Sequence, residues 1–241
     1  MPGIPLLLTC LLLLSSQVVG SESTDSIETR DGPLRITPIR HASFMLEFRG
    51  KIIQVDPWSQ GNYQGLPKAD LILITDIHPD HLDLGKIMEL SKPDTLIVGP
   101  PAAVSSLANA TAIKNGESKM VEGIDVEAVP MYNLKRGPSP GKLYHEKGRG
   151  NGYVLTMGGK RVYISGDTEC IPEMKDLKKI DVAFVCMNLP YTMPPEEAAE
   201  CVKGLHPGIV YPYHYGNSDL KIFTTALKNE PAIEVRLRKW Y

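Results

Sequence analysis

The sequence predicts an α/β (α+β) domain in which two mixed β-sheets lie face to face with helices outside. Three observations carry this prediction. Short strand-like runs come first, separated by turn residues. Later runs alternate with helical segments. No linker divides the chain after residue 33, and no internal repeat stands out. An apolar sheet face needs a covering layer, and two such sheets with outer helices satisfy this order. The predicted organisation is an export signal over 1–20, a flexible polar leader over 21–32, and one domain over 33–241.

Taken in order, Leu34–Ile39, Ser43–Phe48 and Lys51–Val55 are short strands, with Arg49-Gly50 a tight hairpin turn. The unbroken apolar run Leu71–Ile74 suits a strand buried on both faces. Asp83–Leu90 has helical spacing, Thr95–Val98 reads as a strand, and Ala102–Ala108 as a helix. Met120–Val129 forms two strands around Gly123. The aperiodic stretch Asn133–Gly152, rich in Gly, Pro and basic residues, is the longest loop, and loops of that length are commonly functional. Tyr153–Thr156 and Arg161–Ile164 form a hairpin about Gly158-Gly159. Asp181–Met187 and Ile209–Pro212 are strands, and Pro194–Lys203 is a helix with Thr192 as its N-cap. Leu220–Lys228 is a helix capped by Ser218 or Asp219, and Ile233–Leu237 is the last strand.

At 241 residues and 42% hydrophobic content, one core can bury about 70% of the unfolded surface without a covalent staple. The formal net charge of −2 and the absence of a long basic run argue against a nucleic-acid binder. The apolar run Ile4–Leu14 is shorter than the roughly 20 residues needed to span a bilayer. Small residues Val18 and Gly20 follow it, so it reads as a cleaved export signal. The expected location is periplasmic or extracellular, with no stable membrane span after cleavage. Cys170, Cys186 and Cys201 then remain, an odd set. Cys186 sits in an apolar run and reads as core; one disulfide among the three is open, without a choice of pair. Asn109-Ala110-Thr111 is a glycosylation sequon in a eukaryotic host.

The chemistry concentrates in Asp76-Ile77-His78-Pro79-Asp80-His81-Leu82-Asp83, which follows a buried strand and precedes a helix. A helix N-terminus attracts acids and so accounts for Asp83, but it does not account for two histidines beside Asp76 and Asp80. Carboxylates and imidazoles converging from one turn suit Zn, Fe or Mn. Gly166-Asp167-Thr168 and Tyr213-His214-Tyr215 end two further strands, so ligands come from three strand ends.

Asp-x-His-x-Asp-His, the later Gly-Asp-Thr and the late His214 resemble the metallo-β-lactamase superfamily, whose usual signature is His-x-His-x-Asp-His. Val55-Asp56-Pro57 resembles its first motif. His41-Ala42-Ser43-Phe44, the Tyr191-Thr192-Met193 turn before Glu196-Glu197-Ala198-Ala199, and Pro212-Tyr213-His214-Tyr215-Gly216 resemble one branch of it. That branch contains ascorbate-6-phosphate lactonases and the phospholipase D that cleaves N-acyl phosphatidylethanolamine. The resemblance covers about Leu34 to Tyr241.

It implies the αββα four-layer metallo-β-lactamase sandwich, with one or two divalent metal ions (Zn, Mn or Fe) at one edge. Asp80, His81 and His214 would form one metal site, and Asp167 would bridge to a second. Asp76 and His78 would serve that second site with a histidine near residue 133. The chain departs from the pattern at Asp76, where His is usual, and at Asn133, also usually His. Either Asn133 or His145, from the long loop, is left to complete the set. The carboxylate content leans toward Mn or Fe. Asp56 is expected to orient a ligand histidine, and His41 to line the pocket or support it. Tyr132, Tyr191 and Tyr213 are candidate walls.

The expected function is a metal-dependent hydrolase in which a metal-bound hydroxide attacks a phosphodiester, lactone or other ester, with Asp80 and Asp167 as catalytic residues. The partner is a small-molecule substrate, and Lys135, Arg136, Lys142, Lys147 and Arg149 are candidates to receive an anionic one. The alternatives are a metal-binding protein of the same fold with little catalysis, and a nuclease or β-lactamase of that fold.

Overall fold

The computed structural model describes residues 24–105 and 107–241. The expected export signal lies outside the described residues. The first sheet contains β1 (Asp25–Thr29), β2 (Gly32–Arg40), β3 (Ser43–Phe48), β4 (Lys51–Val55), β5 (Ala69–Leu73), β6 (Ser91–Gly99) and β7 (Ala110–Ala112), in that spatial order. The second contains β8 (Ser118–Val121), β9 (Ile124–Met131), β10 (Gly150–Met157), β11 (Lys160–Ile164), β12 (Val182–Cys186), β13 (Ile209–Tyr213) and β14 (Glu234–Val235), again in sequence order. Each sheet opens with antiparallel pairs and continues with parallel ones. The helices are α1 (Leu84–Leu90), α2 (Pro101–Val104), α3 (Pro172–Asp176), α4 (Pro195–Leu205) and α5 (Leu220–Leu227).

The alternation of side chains along a strand explains the layering. On β5, Leu71 and Leu73 point into the large core between the sheets, while Ile72 joins a second cluster with Ile87 of α1 and Ala103 and Val104 of α2. Both faces of β5 are therefore apolar, as a central parallel strand requires. On the other side, α3, α4 and α5 add Met174, Ala198, Val202 and Phe223 to the large core. The result is four layers, helix–sheet–sheet–helix. The hairpins turn at Arg49-Gly50 and Gly158-Gly159, where all four residues have positive φ, matching the two-residue turns that suit twisted strands.

Several expectations need correction. The leader assigned to 21–32 is not flexible over its described part. Asp25–Thr29 pairs with β2 from Asp25↔Ile36 to Thr29↔Gly32, Ile27 is buried, and the Asp25 carboxylate accepts from Arg238 at 2.7 Å and from the Tyr211 hydroxyl at 2.6 Å. One apolar residue per strand face suffices at a sheet edge, which is why the segment reads as polar. Thr192 does not cap α4: Pro194 occupies that place, and the Thr192 hydroxyl accepts instead from the Asn188 N–H at 2.7 Å. Asp219 caps α5 by accepting from Lys221 N at 2.9 Å. The last strand shrinks to two residues, and β7 and α3 are short elements with no periodic signal.

Cys170 and Cys201 form a disulfide across a separation of 31 residues, and Cys186 is free and buried. The bridge ties the segment after Asp167 to α4. Closing a loop of that length stabilises a fold by roughly 2–4 kcal/mol, through lost freedom in the unfolded chain. Cys170→Ser is therefore expected to lower the denaturant midpoint, and a reducing agent is expected to lower it for the native chain but not for the variant. Coincident unfolding curves for the native chain with and without reductant would contradict a structural bridge.

Candidate metal centre

The site forms where strand ends of both sheets meet. After β4, Asp56 turns with φ 42° and is buried. One of its oxygens accepts from the Thr75 N–H at 2.7 Å. The other accepts from the Thr75 hydroxyl and from His81 Nδ1 at 2.8 Å. That bond places the His81 proton on Nδ1 and leaves Nε2 bare toward the site. The segment after β5 makes one tight turn, with the N–H groups of His81 and Leu82 both donating to His78 O. Asp83 then caps α1 by accepting from Lys86 N at 3.0 Å. From the second sheet, Asn151 N–H donates to Thr75 O at 2.8 Å and the Tyr153 hydroxyl to Ile74 O at 2.7 Å. The motif is thus held by both sheets.

Asp167 follows β11 through Gly166. Gly166 has φ 60°, and a Cβ there would lie 2.6 Å from Met131 Sδ and 3.1 Å from Asn151 O, so a side chain is excluded. His214 follows β13 with φ 46°, and its N–H donates to His41 O at 3.0 Å. His41 itself has φ 56°. Three non-glycine residues in left-handed backbone at one site store strain of order 1–3 kcal/mol each.

Two groups of donors result. In the first, His81 Nε2 lies 3.4 Å from Asp167 Oδ2 and 3.8 Å from Asp80 Oδ2, and His214 Nε2 lies 3.4 Å from Asp167 Oδ1 and 3.6 Å from Asp80 Oδ2. In the second, His78 Nδ1 lies 2.7 Å from Asp76 Oδ2, and His145 Nε2 lies 3.8 Å from Asp76 Oδ2 and 3.3 Å from Asp167 Oδ2. Asp167 faces both groups. Donors at roughly 2.1 Å from one tetrahedral cation stand roughly 3.4 Å apart, so the first group has the right spacing. His81 Nε2, His214 Nε2 and Asp167 Oδ1 are buried without a hydrogen-bond partner. Buried polar atoms are rarely left unpaired, and three that converge on one point fit a cation.

The loop 132–149 supplies His145. Asn133 donates from Nδ2 to Glu169 Oε1 at 3.0 Å and to Tyr191 O at 2.9 Å. Its Oδ1 is therefore the acceptor, taking the His145 N–H at 2.8 Å and the Nδ1–H at 2.7 Å. The His145 ring is left with a bare Nε2 aimed at Asp167. Asn133 is thus turned away from the donor group and holds His145 in it. Arg149 forks onto Asp76, with Nε 3.3 Å from Oδ1 and Nη2 3.2 Å from Oδ2.

The electrostatics follow. Burial alone pushes all three facing carboxyls up, and the surrounding imidazoles reverse it. Asp167 is held well below the usual range by its imidazole neighbours, His214 first and then His81. Asp80 is lowered by its close approach to His214 and by the hydrogen bond from His41. Asp76 is lowered to about 2, chiefly by the His78 bond. All three stay ionised near neutrality, as metal ligands must.

The site opens into a cleft of about 370 Å³ lined by His41, Tyr144, Asn188 and Tyr191 together with His78, Asp80, His145, Asp167 and His214. Tyr144 and Asn188 have no motif of their own and were not anticipated. Two expected walls lie elsewhere. The Tyr132 hydroxyl donates to Glu173 Oε2 at 2.9 Å and its ring lies under Lys147, outside the cleft. Tyr213 is fully buried and its hydroxyl accepts from Gly166 N at 3.0 Å, because alternation along β13 points it inward. None of the five loop cations lines the cleft. Arg136 pairs with Glu169 and Glu197, Lys135 with Glu197, Lys147 with Glu173, and Arg149 with Asp76, so these charges hold the loop.

The family model described as Beta-lactamase superfamily domain matches residues 35–214. A UPF0173 metal-dependent hydrolase of Thermodesulfovibrio yellowstonii is 30% identical over 215 residues, covering 77% of this chain and 79% of that protein. A metal-dependent hydrolase of Methanopyrus kandleri is 31% identical over 201 residues, covering 76% of this chain and 84% of that one. The crystal structure of a candidate metal-dependent hydrolase from Parabacteroides distasonis superposes with TM-score 0.85 at 45% identity, over 90% of this chain and 99% of that one. A metallo hydrolase of Ignicoccus hospitalis shares the fold at TM-score 0.72 and 23% identity, over 86% and 95% of the two chains.

Asn133→Ala removes the acceptor that orients His145. Loss of such a support typically weakens metal binding by about 10–100-fold. The expected outcome is selective loss of cation from the Asp76–His78–His145 group, with the His81–His214 group still loaded, read by elemental analysis after dialysis. Unchanged metal content would contradict the orienting role.

Proposed function

This chain belongs to the β-lactamase superfamily domain family and is a metal-dependent hydrolase, and we propose that it cleaves a small ester, lactone or phosphodiester at the centre faced by Asp80 and Asp167. The observation that carries this reading is the set of bare donor atoms on His81, His214 and Asp167, buried and convergent. Divalent cations held there supply Lewis acidity, polarising a carbonyl or phosphoryl oxygen and acidifying water.

The chain's own groups do the rest. Asp80 and Asp167 are ionised and face the cleft, so either can accept a hydrogen bond from the attacking water and orient it. Asn188 lines the cleft as a polar contact for substrate. Tyr144 and Tyr191 stand edge to face with ring centroids 5.1 Å apart and give one wall an aromatic surface. No Lys or Arg is among the described lining residues, so a substrate's negative charge would be met by the cations. Three carboxylates in the donor groups favour Mn or Fe alongside Zn.

The decisive measurement is turnover of lactone, carboxylester and phosphodiester panels by protein loaded in turn with Mn, Fe or Zn. Chelation is expected to abolish activity and metal to restore it. Asp167→Asn is expected to lower kcat by at least about 100-fold, the scale of losing a charge-stabilising group. Turnover indifferent to chelator and to Asp167 would exclude this reading.

We also propose that the chain is exported to the periplasm or the extracellular space. The apolar run Ile4–Leu14 and the Cys170–Cys201 bridge support this, since disulfides persist in oxidising compartments. N-terminal sequencing of protein recovered from its native host is expected to begin close to residue 21. An intact start at Met1 would refute cleavage.

A further inference from the structure

We propose that Tyr241 and His41 form a positioning pair. The phenol holds His41 in the tautomer with its proton on Nε2, and that N–H steadies the Asp80 carboxylate without His41 itself becoming a ligand. The inference rests on Asp80 serving the metal centre.

The hydrogen-bond directions carry it. The Tyr241 hydroxyl oxygen accepts the Gly216 N–H at 2.9 Å. Its other partner is His41 Nδ1. The ionised Asp80 carboxylate facing the other ring nitrogen can only accept, so that nitrogen keeps the ring proton and Nδ1 is left to accept from the phenol. An imidazole that accepts at Nδ1 carries its own proton at Nε2. That nitrogen lies 3.1 Å from Asp80 Oδ2. The group His41, Asp80 and His214 has the spacing of a cation site, yet this tautomer leaves His41 no lone pair to offer there.

The backbone fixes the pair in place. His41 N–H donates to Trp240 O at 3.1 Å, and His214 N–H donates to His41 O. Trp240 is fully buried, edge-on to Phe44, Phe184 and Tyr213, which pins the segment carrying Tyr241. The His41 ring also lies 3.7 Å from the His214 ring, so it abuts one donor while bonding another.

The test is a titration with cobalt(II) alone, comparing the native chain with Tyr241→Phe, His41→Leu and His41→Gln. Circular dichroism and apo unfolding first establish that each variant folds. Tyr241→Phe and His41→Leu are expected to weaken cobalt at the His81–His214 group by about tenfold, the lower end for losing a ligand's support. His41→Gln, whose side-chain N–H can still reach Asp80, is expected to recover most of that loss. All variants are expected to keep the same number of paramagnetically shifted imidazole signals. Native-like affinity in Tyr241→Phe, or loss of one shifted imidazole signal in His41→Leu, would overturn the pair while leaving the hydrolase reading intact. Absence of cobalt binding by the native chain would remove both.

Discussion

Negative charge buried at the edge of two apolar sheets is the constraint that organises this molecule. Asp56, Asp76 and Asp167 are almost wholly removed from solvent. A buried carboxylate is costly unless it is hydrogen-bonded, paired or bound to a cation. Each is answered differently. Asp56 takes three local donors and thereby aims His81. Asp76 takes the Arg149 fork and His78. Asp167 has only imidazoles around it, and one of its oxygens is left bare. The point of least satisfaction is the point best suited to a metal.

The long loop is organised by the same electrostatics. Glu169, buried two residues past Asp167, accepts from Asn133, from the backbone N–H groups of Lys135 and Arg136, and faces the Arg136 guanidinium. Cys170 beside it is bridged to α4, whose Glu197 binds Arg136 from the other side. The loop therefore sits on the segment that carries Asp167, and His145 is delivered by a chain of polar contacts instead of by a strand. Its half-exposed counterpart His78 comes from the first sheet. Each donor group draws on both sheets.

What could be read from residues alone follows from how local the signal is. Asp76 to His81 is dense enough to declare itself, and Gly166-Asp167 and His214 are marked by strand ends. The layered fold was visible because β5, β11, β12 and β13 are short apolar runs in the order two facing sheets require. Asn133 was open because its part depends on which way an amide points, and that is set by Glu169, 36 residues away. The loop cations could be counted but not aimed, since Glu169, Glu173 and Glu197 belong to other elements. Tyr241 carries no motif, and it meets His41 across 200 residues of chain. Tyr213 misled because an aromatic beside a ligand reads as a wall, whereas alternation along its strand sends it to the core.

The two sheets repeat one plan, antiparallel hairpins followed by parallel strands, and each brings the tips of its parallel strands to a common rim. Neither half owns a full coordination sphere: Asp76, His78, Asp80 and His81 follow β5, while His145, Asp167 and His214 come from the other half. A cation held at that rim would join two similar leaves, so its retention would depend on how well their strand tips stay in register.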